Sequence, residues 1–177
     1  MKLTYLSLGS NLGDRQINIQ SALNQIDKRA GNIISISKLY ENPSFGFEGD
    51  MFYNCCIGLK TILSPVELLN EILHIEKEGG RIRKIEEGYL SRTIDIDILF
   101  YENQTINSDE LKIPHPKLHE RNFVIKPLLD IAKGKIHPFF KKSIHEIGDD
   151  LKDFSQVVEI KNNLYNPCLL YTSPSPR

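Results

Sequence analysis

Residues 92–101 read Arg-Thr-Ile-Asp-Ile-Asp-Ile-Leu-Phe-Tyr, and this alternation constrains the fold more than any other stretch of the chain. Isoleucines and aromatics at a period of two predict a β-strand with one buried face. Ile94, Ile96, Ile98 and Phe100 are expected to point one way, and Asp95 and Asp97 the other. Two like charges at neighbouring same-face positions repel, and Asp is depleted in strands. Their Cα atoms should lie roughly 6.5–7 Å apart, twice the strand rise. That spacing suits carboxylates converging on a hard cation such as Mg²⁺, which prefers oxygen ligands. A solvated strand face with idle acids has the same pattern, and the run alone does not choose between them.

Its surroundings shift the balance. Arg81, Arg83 and Lys84 lie upstream in Gly-Gly-Arg-Ile-Arg-Lys, and Arg92 opens the run. Downstream comes Pro114-His115-Pro116-Lys117-Leu118-His119-Glu120-Arg121-Asn122-Phe123. Cations bracketing an acidic pair are the layout expected of phosphoryl transfer. There, acids hold a metal and Arg or Lys neutralise the remaining phosphate charge. Gly9-Ser10-Asn11-Leu12-Gly13 lacks the Gly-Lys-Ser/Thr ending of a P-loop and reads as a strand-to-helix turn. His115 and His119 are four apart, but Pro116 intervenes and no third zinc ligand is in register. His115 is better read as a phosphate hydrogen-bond donor.

The element order follows from periodicity. Strands are predicted at 2–9, 33–40, 51–61 and 92–101. A helix is predicted from Gln16 to about Lys28, with Asp14 as N-cap and Ile19, Leu23 and Ile26 inward. A second begins at Ser64-Pro65 and runs to about Lys77, with Leu68, Leu69, Ile72 and Ile75 inward. A short helix is expected at 124–132. The fold class is α+β. The order βαββαβ is the ferredoxin-like, split-βαβ arrangement: an antiparallel sheet with helices on one face, here with a C-terminal extension. Residues 1–165 are expected to form one domain. Residues 166–177 have no amphipathic period and end in Ser-Pro repeats, so they read as a non-native or disordered tail. The loops at 42–50 and 79–91 flank the acidic strand and are candidates to close over a substrate.

A net charge of −1 argues against a general nucleic-acid binder. No apolar run reaches the ~18–20 residues needed to span a bilayer. No signal peptide is apparent, and the three cysteines (Cys55, Cys56, Cys168) have neither disulfide nor Cys-x-x-Cys spacing. The cytoplasm is the expected compartment.

Several of these motifs, taken in order, carry a resemblance. Leu-Gly-Ser-Asn-Leu-Gly, then Arg-Ile-Arg-Lys, then Arg-Thr-Ile-Asp-Ile-Asp-Ile-Leu, then Pro-His-Pro-(five residues)-Asn-Phe resemble the 6-hydroxymethyl-7,8-dihydropterin pyrophosphokinases of folate biosynthesis. The resemblance runs from about Tyr5 to about Pro138. It implies transfer of pyrophosphate from ATP to the hydroxymethyl group of a reduced pterin, with release of AMP. It implies that Asp95 and Asp97 hold two Mg²⁺ ions. It places Arg81, Arg83 and Arg92 at the reacting phosphates, and Glu76, Arg83, Lys84, Arg92, Ile98, His115 and Arg121 along ATP. Around the pterin it places Pro43, Phe45, Phe52, Asn54, Asp95 and Phe123, with Phe52 and Phe123 as the stacking rings and Tyr53 as the rival for the first. It further implies a monomer whose partners are small molecules. Residues 85–91, Ile-Glu-Glu-Gly-Tyr-Leu-Ser, depart from the Trp-Gly-Pro that many relatives carry before the arginine, with Tyr89 as a candidate aromatic. Two other classes share parts of this pattern: a ferredoxin-like small-molecule-binding module, and a metal-dependent phosphohydrolase. The ATP product separates them, since AMP marks pyrophosphoryl transfer.

Overall fold

A computed structural model describes residues 1–81, 91–161 and 164. The expected residues at 82–90, Arg83, Lys84 and Tyr89 among them, and the tail at 166–177 lie outside the described residues. The chain runs β1 (Lys2–Ser10), α1 (Arg15–Arg29), β2 (Asn32–Ile36), β3 (Leu39–Asn42), β4 (Phe52–Thr61), α2 (Pro65–Glu78) and β5 (Asp95–Tyr101). A small hairpin follows, β6 (Ile106–Asn107) and β7 (Lys112–Ile113). Then come α3 (Asn122–Ala132), α4 (Ile144–Asp149) and β8 (Val158–Ile160).

The main sheet is antiparallel in the order β5-β1-β4-β3-β8, and β2 also pairs with β4. Both early helices start as their residues dictate. Asp14 caps α1 by accepting from the Ile17 amide. Ser64 and Glu67 form a reciprocal capping box on α2, with Pro65 in the first turn.

Two expectations give way to single-residue insertions. The strand expected over 33–40 is two strands, because the Ser37 hydroxyl takes the place of a backbone carbonyl and accepts from the Cys56 amide at 2.9 Å. Ile36 then pairs with Ile57 and Tyr40 with Asn54, four residues facing three. In β5 the register also slips: Leu6 faces Ile98 but Tyr5 faces Phe100. The extra residue turns Phe100 away from Ile94, Ile96 and Ile98 and into the opposite layer, where it meets Tyr5 edge-on at 6.5 Å.

The sheet therefore has a core on each side. Leu6, Leu8, Cys55, Ile57, Ile96 and Ile98 pack under α1 and α2. Cys56 and Phe100 pack on the other side with Val124, Leu128 and Ile147 from α3 and α4. The expectation of helices on one face holds for α1 and α2 only. The C-terminal segment brings α3 and α4 to the other face, covering part of it.

Candidate active site

The part of that second face left open is where the acids point. Register places Asp95 opposite Gly9 and Gly9 opposite Asn54, so the three form one row across β5, β1 and β4. Asp97 pairs with Ser7 in the next row. Small residues on β1 thus make a low floor between the acids and Asn54. Phe123, just inside α3, and Phe45 and Phe47 of the loop before β4 wall the cleft. Phe52 and Arg121 also line it.

Asn54 is buried and donates through Nδ2 to Asn42 Oδ1, while Asn42 Nδ2 donates to the Pro43 carbonyl. With its amide nitrogen engaged, Asn54 Oδ1 is turned over Gly9, where it lies 2.6 Å from the position a Cβ would take. Tyr53 is excluded from the cleft: the Arg15 guanidinium stacks on its ring at 3.7 Å and bonds Glu41 at 3.0 Å and the Met51 carbonyl at 2.8 Å. Phe52, and not Tyr53, lines the cleft. Phe45 and Phe123 are tilted by 50° with centroids 6.3 Å apart. Two van der Waals gaps need about 7 Å, so no flat ring fits between this pair as it stands. Phe47 meets Phe52 edge-on at 6.3 Å. Pro43 is exposed, and its carbonyl serves Asn42 rather than the cleft.

The acids sit in a dense ionic network. Arg92 Nη1 lies 2.6 Å from Asp95 Oδ2, and Arg81 bridges Asp95 Oδ1 and Glu76 Oε1. Glu76, expected along ATP, is 1% exposed and turned inward, where Oε1 also accepts from the Ile96 amide at 2.8 Å. It has no surface for a nucleotide; it fixes Arg81 and the start of β5. Asp97 is pushed up to about 7 by burial first, then by Asp95 and Glu76, with Arg121 and Arg81 opposing. Concentrated negative charge of this kind, with oxygen donors on one strand face, fits a hard divalent cation. Among the described residues no third His, Cys, Asp or Glu joins them in a metal-holding group.

Asp97 also reaches a second recess. A groove of about 1270 Å³ runs along the outer edge of β5, between α2 and the β6–β7 hairpin. Leu69, Leu73, Ile98, Leu111 and His115 line it. His115 Nε2 is 4.0 Å from Asp97 Oδ2, and its Nδ1 accepts from the Lys117 amide. Burial, and then Arg121, push its pKa down to about 4. At neutral pH it is an uncharged ring whose Nε2 carries the proton and donates toward the acids.

Two concave sites that share Asp97, one aromatic with an amide reader and one a long groove beside β5 lined by Leu69, Leu73, Ile98, Lys112 and His115, match a two-substrate phosphoryl transferase. A family model described as 7,8-dihydro-6-hydroxymethylpterin-pyrophosphokinase (HPPK) matches residues 5–133. The chain belongs to this family. The HPPK of Aquifex aeolicus, named 2-amino-4-hydroxy-6-hydroxymethyldihydropteridine pyrophosphokinase, is 40% identical over 163 residues, covering 90% of this chain and all of that one. The folic acid synthesis protein fol1 of Pneumocystis carinii is 42% identical over 150 residues, 84% of this chain but 20% of that protein. A Plasmodium falciparum HPPK-DHPS crystal structure with STZ-DHP superimposes with a TM-score of 0.69 at 18% identity. It covers 84% of this chain and 43% of that one. The chain thus spans the whole of the bacterial HPPK and a fraction of the longer relatives.

Most site residues expected from sequence come together: Asp95, Arg92, Arg121, Phe45, Phe52, Asn54 and Phe123 in the cleft, Ile98 and His115 in the groove, and Asp97 in both. Sequence reading missed Ser7, Gly9, Asn42 and Phe47. Gly9 stood within a quoted motif and Phe47 within a singled-out loop. Only strand register puts Ser7 and Gly9 on the cleft floor, and Asn42, beside a proline, read as the end of a strand.

Proposed function

We propose that this chain transfers the pyrophosphoryl group of ATP to the hydroxymethyl oxygen of 6-hydroxymethyl-7,8-dihydropterin, giving AMP and the dihydropterin diphosphate. The observation that carries the reading is the meeting of the aromatic cleft and the nucleotide groove at Asp97. The pterin lies on the Ser7–Gly9 floor against Phe123 and Phe52, with Asn54 reading its edge. ATP lies along β5, its base toward Ile98 and Leu111. The hydroxymethyl oxygen attacks the β-phosphorus, the bond from that phosphorus to the α,β-bridging oxygen breaks, and AMP leaves. The hydroxyl proton passes to solvent or to a carboxylate.

Asp95 and Asp97 would hold Mg²⁺, two ions in the fullest form of the reading, which when bound supplies charge neutralisation at the triphosphate. Arg81 and Arg92 already sit at Asp95 and are placed to turn to phosphate oxygens. His115 donates from Nε2, and its lowered pKa keeps that role constant above pH 5. The sheet order β5-β1-β4-β3 with α1 and α2 on one face supports the ferredoxin-like arrangement. Among the described residues no helix is long and apolar enough to cross a membrane.

The test is to incubate the protein with ATP, Mg²⁺ and the reduced pterin and resolve the nucleotides. AMP formed only with pterin present is the expected result; ADP, or AMP independent of pterin, would overturn it. A second expectation probes the cleft floor. Gly9→Ala forces Asn54 Oδ1 aside, since the new methyl would lie 2.6 Å from it. KM for the pterin should rise roughly tenfold and KM for ATP stay within about twofold, the signature of one lost reading contact. Equal changes in both would remove Gly9 from the pterin floor.

A further inference from the structure

We infer that Asn11 is a positioning residue that sets both substrate sites from a single carboxamide; this rests on the pyrophosphokinase reading. Asn11 follows the last residue of β1 and is 1% exposed. Its backbone amide donates to the Arg92 carbonyl at 3.1 Å, and its Oδ1 accepts from the Arg92 amide at 2.7 Å. The side-chain carbonyl stands in for a backbone carbonyl and adds one more rung between the ends of β1 and β5. That rung fixes the backbone of Arg92, whose guanidinium meets Asp95 Oδ2.

The nitrogen of the same carboxamide faces the other site. Asn11 Nδ2 donates to the Asp50 carbonyl at 3.1 Å and lies 3.2 Å from Ser91 Oγ. Asp50 ends the loop that carries Phe45 and Phe47 and leads through Met51 into Phe52, three rings that line the aromatic cleft. The Met51 carbonyl is held in turn by Arg15 at 2.8 Å. Ser91 Oγ also lies 3.2 Å from the space a Cβ on Gly49 would fill, so the loop end is seated directly on the residue before Arg92. Oδ1 therefore holds the Arg92 backbone, while Nδ2 holds the Asp50 end of the aromatic loop and touches Ser91 beside it, and a planar amide cannot move one without the other. A buried asparagine is suited to this because it presents a donor and an acceptor in fixed relative geometry. Aspartate keeps the acceptor and loses the donor; alanine loses both.

The experiment compares Asn11→Ala and Asn11→Asp with the wild type. It measures equilibrium binding of the reduced pterin by fluorescence, binding of a non-hydrolysable ATP analogue with Mg²⁺, and steady-state KM for each substrate. Asn11→Ala is expected to weaken both ligands roughly 5–10-fold, the loss of about one hydrogen bond at each side. Asn11→Asp should return the ATP analogue to within about twofold of wild type, because Arg92 keeps its acceptor, while the pterin stays weakened roughly fivefold. Asn11→Asp keeps the test open should the alanine variant not fold. A purely structural asparagine would lower the melting temperature and leave both constants of the folded protein unchanged; that result overturns the inference, as does Asn11→Asp weakening both ligands equally. Failure of the wild type to bind pterin or to form AMP would instead overturn the functional reading.

Discussion

Asp97→Ala is expected to cut turnover at least roughly 10²-fold while the protein stays folded, because it removes a carboxylate at which both substrate recesses meet. The companion Asp97→Asn should be equally impaired yet more heat-stable at alkaline pH. The sign follows from the carboxyl's displacement. Burial, then Asp95 and Glu76, push it up to about 7, against an unfolded value near 3.8. Between those values the folded state binds more protons than the unfolded state, so stability falls as pH rises through that window, and the full cost stands above 7. The side chain is 41% exposed, so solvent screening holds the cost to the order of 1 kcal/mol. Melting of Asp97→Asn in EDTA should therefore be about 2–4 °C higher than wild type at pH 8 and little changed at pH 4. Near-normal turnover of Asp97→Ala would remove it from the reacting centre. An unchanged or lower melting temperature of Asp97→Asn at pH 8 would show that the carboxylate is not held against its own charge.

The sequence made this pair visible because acids break an otherwise apolar strand, and such a departure from β-propensity stands out locally. The caps of α1 and α2 were legible for the same reason: Asp14 and Ser64-Pro65 act within three residues of themselves. Phe100 was misplaced because a one-residue slip against Tyr5 inverts every later side chain, and nothing in Ile-Leu-Phe announces an inserted residue. The split at Ser37 was hidden in the same way, since it depends on Cys56 nineteen positions later. Glu76 was placed along ATP by the family resemblance alone, and no local signal marks it as buried. Its burial depends on Arg81 and on the Ile96 amide, both supplied by chain that follows. The second face of the sheet was unreadable for a larger reason: it exists only once α3 and α4 return across β4, a long-range event with no period of its own.

Glu76→Ala is expected to be the most destabilising substitution around the site. The carboxylate is 1% exposed, pairs with Arg81 and accepts from the Ile96 amide at 2.8 Å. Truncation leaves the Ile96 amide unpaired and the Arg81 guanidinium, itself 13% exposed, with less negative charge around it. Losing one partner of a buried ion pair costs about 3–5 kcal/mol, which for a domain of this size lowers the melting temperature by roughly 6–20 °C. Glu76→Gln separates the two duties. It keeps an oxygen for the Ile96 amide, and so most of the stability, but surrenders the charge that draws Arg81 away from the cleft. Ile96 lies between Asp95 and Asp97, so a slack amide there moves both acids together. Activity should accordingly fall further in Glu76→Ala than in Glu76→Gln when both are assayed below their melting points. The removed charge also lowers the pKa of Asp97, since Glu76 is one of the groups raising it. The alkaline cost of Asp97 should therefore shrink in Glu76→Gln, and its melting curves at pH 5 and pH 8 should lie closer together than those of the wild type. Thermal melts of the three proteins at both pH values measure this. If Glu76→Ala melts within a degree or two of wild type, the buried network does not hold the start of β5, and the placement of Asp95 must come from its pairing with Gly9 and from Arg92.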